Sequence, residues 1–122
     1  MTDGDELIVV RQSRPGAGRD VLELPAGTLE PGETPLAAAD RELAEECGLS
    51  VASWIELGSF WAAPAYSTER VTVLAGVCTG IAHARPDSDE EIAVERLSPE
   101  LALERLEDAT SKAALALWLL HT

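Results

Sequence analysis

Positive charge is scarce in this chain. Nine lysines and arginines face 22 aspartates and glutamates, Lys112 is the single lysine, and the formal net charge is −13. Such a surface repels nucleic-acid phosphates, and no basic stripe offsets it, which excludes a nucleic-acid partner. An anionic ligand would need cations to help it bind. Cysteine is rare too. Cys47 and Cys78 lack CxxC spacing, which argues against a disulfide framework or a zinc site and reads as two isolated, buried thiols. Long apolar runs are also missing: "AALALWLL" at 113–120 is too short to span a bilayer. The opening "MTDGDELIVV" has acids where a secretory signal needs bases. The expectation is a cytoplasmic chain with no membrane partner.

What is present suits a globular fold. The apolar fraction is 46%, and 122 residues can bury a core without staples, so one domain over 1–122 is expected. "ELIVVR" (6–11) and "VLEL" (21–24) read as strands around the loop "RPGAGRD". "EPGE" (30–33) is a turn signal, with proline second and glycine third. Thr34 then caps a helix with Pro35 at its first position, and Gly48 ends it. "VASWIELGSFW" and "RVTVLAGVCT" are strand-like runs joined by "AAPAYSTE". The acidic loop "ARPDSDEE" leads to a strand at 92–96, Ser98-Pro99 opens a second helix, and 109–120 is a third. Irregular alternation favours a mixed sheet covered by helices.

The helix at 35–47 raises a physical question. Leu36, Ala39, Leu43 and Cys47 form its apolar stripe by spacing, yet Glu42, Glu45 and Glu46 crowd beside them with only Arg41 adjoining. Like charges four apart repel, by roughly 0.2–0.5 kcal/mol per pair. Glu42 and Glu46 are four apart and share a face. Hard divalent cations such as Mg²⁺ take one or two carboxylates and keep waters and substrate phosphates for the rest. A bound ion would remove the repulsion; a solvated acidic face, with Arg41 reaching Glu45, is the plain alternative.

The surrounding spacing carries a resemblance. Gly27, five residues, Glu33, seven residues, Arg41-Glu42-Leu43, one residue, Glu45-Glu46, one residue, Gly48-Leu49 matches every fixed position of the Nudix box. Ahead of it, "VVRQSRPGAGRDVLELPAG" is similar to the ADP-ribose pyrophosphatase branch, as are Pro64, fifteen residues past Leu49, and "DSDEEIAVERLSPELALERL". Three features depart from that branch. Ala63-Pro64-Ala65 stands where Ser-Pro-Gly is usual. Tyr66 falls where dinucleoside polyphosphate hydrolases keep a tyrosine. The branch also carries a longer N-terminal segment that exchanges across a homodimer and helps hold adenine, so a minimal variant or a fragment is expected here.

The resemblance implies an α/β (α+β) fold, the Nudix-type α/β/α sandwich with a mixed β-sheet flanked by helices. It implies Glu42 and Glu46 as primary Mg²⁺ ligands, with Mn²⁺ as a substitute. Glu45 would support them or share a second ion, and the Ala26 carbonyl would complete a site. Gly27, Gly32 and Gly48 are turn and cap positions, Glu33 braces the loop–helix junction, and Arg41 orients the glutamates. Glu90 matches the loop general base, with Asp89 and Glu91 as neighbours. Arg14 is the candidate for gripping the diphosphate, and Pro64 and Glu69 for the substrate loop. The implied activity is Mg²⁺-dependent hydrolysis of a small-molecule nucleoside diphosphate, ADP-ribose first. Dinucleoside polyphosphates or nucleoside triphosphates are the second reading, and a non-catalytic ADP-ribose-binding module the third.

Overall fold

The computed structural model describes residues 2–3, 6–81 and 93–121. Among the described residues, six strands and three helices follow in the order β1 (Thr2–Asp3), β2 (Glu6–Arg14), β3 (Arg19–Glu23), α1 (Pro35–Cys47), β4 (Leu49–Trp61), β5 (Arg70–Ile81), β6 (Ala93–Leu97), α2 (Pro99–Arg105) and α3 (Ala109–His121). The fold is α+β, as expected, on one mixed sheet of order β3-β2-β1-β5-β4, with β6 paired to β2. All pairings are antiparallel except β1 with β5.

Strand β2 runs to Arg14, three residues further than its apolar run suggests. The return strand starts at Arg19, and Arg14 pairs with Arg19, so the intervening loop is only 15–18. Leu7, Ile8, Val9 and Val10 are all buried. Alternate residues point to opposite faces, so this strand is covered on both. Leu7 and Val9 join Leu22, Leu97, Ala102, Leu106 and Leu115 in one core cluster beneath α2 and α3. Helix α1 packs on β4 and β5. No helix among the described residues is long and apolar enough to cross a membrane.

The helix boundaries follow from their caps. Thr34 Oγ1 accepts from Ala37 N–H at 3.2 Å, Pro35 opens α1, and Gly48 closes it in the left-handed conformation, donating its N–H to Ala44 O. Ser98 and Pro99 repeat the device at α2. The expected apolar stripe of α1 needs correction. Ala38, Leu43 and Glu46 are its buried residues, whereas Leu36 is 48% exposed and Ala39 and Cys47 are half-buried. The packed face is thus rotated toward the carboxylates, because the helix lies against two strands and the 24–34 loop rather than over a broad sheet.

Candidate functional site

The site is built on α1 and on the loop that precedes it. Glu30-Pro31-Gly32-Glu33 closes with Glu33 N–H donating to Glu30 O at 2.9 Å, and Gly32 has φ +78°. That sign is cheap only for glycine at the third position of such a turn. Gly27 is needed for a different reason from the turn role expected of it. Its φ is not positive; instead a Cβ built there would overlap the carboxyl carbon of Glu42. The loop backbone therefore lies directly against the Glu42 side chain.

Arg41 organises the carboxylates. Its Nε donates to Glu33 Oε2 at 2.8 Å and its Nη2 to Glu33 Oε1 at 2.9 Å, a bidentate pair. Nη1 donates to Glu42 at 2.7 Å and to Glu45 at 3.4 Å, and lies 3.8 Å from Glu30. Nη2 also reaches the Thr28 carbonyl at 3.2 Å. The Arg41 hydrogen bond, aided by the Glu30 N–H, holds the Glu33 carboxyl down at about 2, and Glu33 and Glu42 in turn raise the guanidinium pKa. Glu33 thus joins turn to helix, and Arg41 joins both to Glu42.

Glu46 is one turn beyond Glu42. It is 8% exposed and its Oε2 is buried. Burying a carboxylate is costly unless a compensating charge is at hand. Arg14, at the end of β2, contributes to that field. Its fork is bonded to Glu23 at 2.6 and 3.0 Å, and this bond, opposed by burial and helped by Glu46 and Asp108, holds its pKa above the ordinary value. The structure engages Arg14 with Glu23, a partner that spacing did not suggest.

Cys47 and Cys78 are free thiols, as expected, but half-buried rather than buried. Burial, then the charge of Glu46, then Cys78 push the Cys47 thiol up to about 12. Pro64, Glu69 and Tyr66 lie in the 62–69 loop and are exposed, Tyr66 to 87%. That loop is closed by Ala62 N–H on Glu69 O at 3.0 Å and by Tyr66 and Ser67 N–H on Ala63 O. Ala26 is exposed beside Gly27. Glu90, with Asp89 and Glu91, lies outside the described residues.

Among the described residues no three Asp, Glu, His or Cys side chains group as a ready metal cage. The donor chemistry still fits a hard cation. Glu42 lies against the Gly27 backbone and Glu46 is buried one helical turn away, and Mg²⁺ asks for no more protein ligands than one or two carboxylates. Sequence reasoning missed Ser111 and Asp108. Asp108 ahead of an apolar helix is a capping signal, but the link from Ser111 to Leu24 at the start of this loop spans 87 positions and no local pattern encodes it.

Comparison with known proteins agrees with this fold. A model of the NUDIX domain matches residues 1–119. The chain is 36% identical over 95 residues to an ADP-ribose pyrophosphatase of Bacillus subtilis, covering 78% of this chain and 51% of that protein. It is 40% identical over 93 residues to an ADP-ribose pyrophosphatase of Mycobacterium tuberculosis, covering 75% and 44%. The chain thus spans about half the length of these relatives. A crystal structure described as an ADP compounds hydrolase superposes with a TM-score of 0.87 at 26% identity, over 99% of this chain and 69% of that one. With the box, the sheet and the family match in agreement, this chain belongs to the NUDIX domain family.

Proposed function

We propose that residues 1–122 form a metal-dependent pyrophosphohydrolase domain that cleaves ADP-ribose, or a close nucleoside diphosphate sugar, into AMP and a sugar phosphate. One observation carries this reading: the buried carboxylate of Glu46 one turn from Glu42, with the Gly27 backbone pressed against Glu42. Glu42 and Glu46, supported by Glu45 and the Ala26 carbonyl, would hold Mg²⁺, with Mn²⁺ able to replace it. When bound, such an ion neutralises a diphosphate, stabilises charge developing on phosphoryl oxygens and lowers the pKa of water.

The protein's own groups do the rest. Arg41 fixes the rotamer of Glu42 through the 2.7 Å bond to one carboxylate oxygen, and the second oxygen is the one we assign to coordination. The rigid turn at 30–33 holds the loop above it. Water adds to one phosphorus of the diphosphate and the bridging P–O bond breaks. Glu90 is the residue we assign to accept the water proton, since the α1 glutamates serve as ligands and a base must stand elsewhere. A guanidinium suits the diphosphate or terminal ribose, and we assign this to Arg14, which must exchange part of its bond to Glu23.

Tyr66 favours a second reading. Its ring is 87% exposed beside the substrate-loop candidates Pro64 and Glu69, a placement suited to stacking a second base. Dinucleoside polyphosphates or nucleoside triphosphates would then be the substrates. A panel of ADP-ribose, Ap4A and triphosphates with Mg²⁺ decides between them. Highest kcat/KM on ADP-ribose is expected, and preference for Ap4A or a triphosphate would reverse the assignment. Binding of ADP-ribose without turnover at saturating Mg²⁺ would make the domain a ligand sensor.

A further inference from the structure

Only two polar side chains are buried among the described residues, Glu46 and Ser111. Ser111 is 4% exposed and lies in the first turn of α3, remote in sequence from the carboxylate helix. Its Oγ accepts the backbone N–H of Leu24 at 2.9 Å. Leu24 is the first residue past β3, where the ladder stops and the loop carrying Ala26 and Gly27 begins. Ser111 is itself held: its N–H donates to Asp108 Oδ2 at 3.0 Å, and Lys112 N–H donates to Asp108 O at 3.1 Å. Asp108 therefore caps α3 and sets the position of the residue that grips Leu24.

The segment from Leu24 to Gly27 is a short, stiff lever. Pro25 fixes its own φ and restricts Leu24 to extended conformations. At one end the lever is pinned through Leu24 N–H, and at the other Gly27 lies against the Glu42 carboxylate. The Ala26 carbonyl lies between these two points.

We infer that Ser111 is a positioning residue for the cation seat: its hydroxyl, by holding Leu24 N–H, keeps the Leu24–Gly27 backbone against Glu42 and aims the Ala26 carbonyl. This rests on the metal reading proposed above. A serine that merely tied α3 to β3 would affect stability alone, whereas a positioning serine affects the affinity for a cation in the absence of substrate.

The test is Mn²⁺ titration followed by the EPR signal of the free ion, on wild type, Ser111→Ala, Ser111→Thr, Glu46→Gln and the core variant Leu106→Ala. Outer-shell partners of metal sites are worth about 10–100-fold in affinity, so Ser111→Ala should weaken Mn²⁺ binding by about tenfold. Ser111→Thr, which keeps the acceptor, should recover most of it. In the metal-free protein, amide exchange at Leu24 should quicken by a similar factor. Should Ser111→Ala fail to fold, Ser111→Cys keeps the volume, weakens the acceptor and is read in its place. Wild-type affinity in Ser111→Ala overturns the inference, as does an equal loss in Leu106→Ala, which would trace the effect to stability. If Glu46→Gln abolishes Mn²⁺ binding while the Ser111 variants do not change it, this inference falls and the metal reading stands. If wild type takes up no Mn²⁺, both fall.

Discussion

The arginines of the β2–β3 hairpin and the arginine of α1 live in different electrostatic surroundings. On the hairpin each guanidinium has its own carboxylate: Arg11 with Glu95, Arg14 with Glu23, Arg19 with Glu107. On α1 a single guanidinium stands within 4.0 Å of Glu30, Glu33, Glu42 and Glu45. Four carboxylates against one arginine leave three charges uncompensated within that group, and Glu46 is buried one turn away. The excess of acid is therefore not a uniform property of the surface. Part of it is gathered where a loop backbone presses on a glutamate, the arrangement that the proposed cation seat requires.

Substitutions on the two sides of this comparison should differ in kind. The largest effect is expected for Glu46→Gln. On the proposed metal role, losing a ligand forfeits several kcal/mol of transition-state stabilisation, so turnover should fall about a thousandfold. Its melting temperature should hold, because glutamine keeps the shape of the side chain and most of its hydrogen-bonding capacity. Paired kinetics and thermal melts check this; a fall in both together would make Glu46 a folding residue. Gly27→Ala comes next. The new methyl displaces the Glu42 carboxylate, and a misplacement of about 1 Å costs up to a hundredfold in rate. The readout is kcat at saturating Mg²⁺ with circular dichroism unchanged.

A smaller effect concerns acid stability. Arg41 lowers the Glu33 carboxyl from its ordinary 4.5 to about 2. A carboxylate with a depressed folded pKa contributes stability that is fully present above the ordinary value and lost as pH falls through the folded one. Wild type should lose stability between about pH 4.5 and pH 2, and Glu33→Gln should flatten that limb of a melting-temperature profile. The smallest effect belongs to the hairpin: Arg19→Ala removes an exposed pair and should cost at most about 1 kcal/mol, with kcat unchanged. Denaturant unfolding and kinetics together read it. A loss of activity there would erase the contrast between the two regions.

Much of the fold was legible because its boundaries are set locally. Thr34-Pro35 and Ser98-Pro99 bracket helix starts through side-chain caps, and Gly48 ends α1 where the sequence places it. The hidden parts are those decided at a distance. The rotation of the α1 face depends on which strands lie beneath it, so Leu36 reads as core and is half-exposed, while Glu46, which spacing places beside the stripe rather than in it, is buried. Strand β1 is two residues long and exists only through pairing with β2 and β5. Gly27 was recognisable as required, but its reason, contact with Glu42, needs the loop folded back on the helix. The engagement of Arg14 by Glu23 and of Leu24 by Ser111 likewise follows from tertiary placement.

The most direct test of the cation seat is an anomalous difference map from crystals of this chain soaked in Mn²⁺. The account predicts a peak within about 2–2.5 Å of carboxylate oxygens from both Glu42 and Glu46, the range for hard cations on oxygen, and its disappearance in Glu46→Gln. A well-occupied peak elsewhere, or none beside those two side chains, would contradict it.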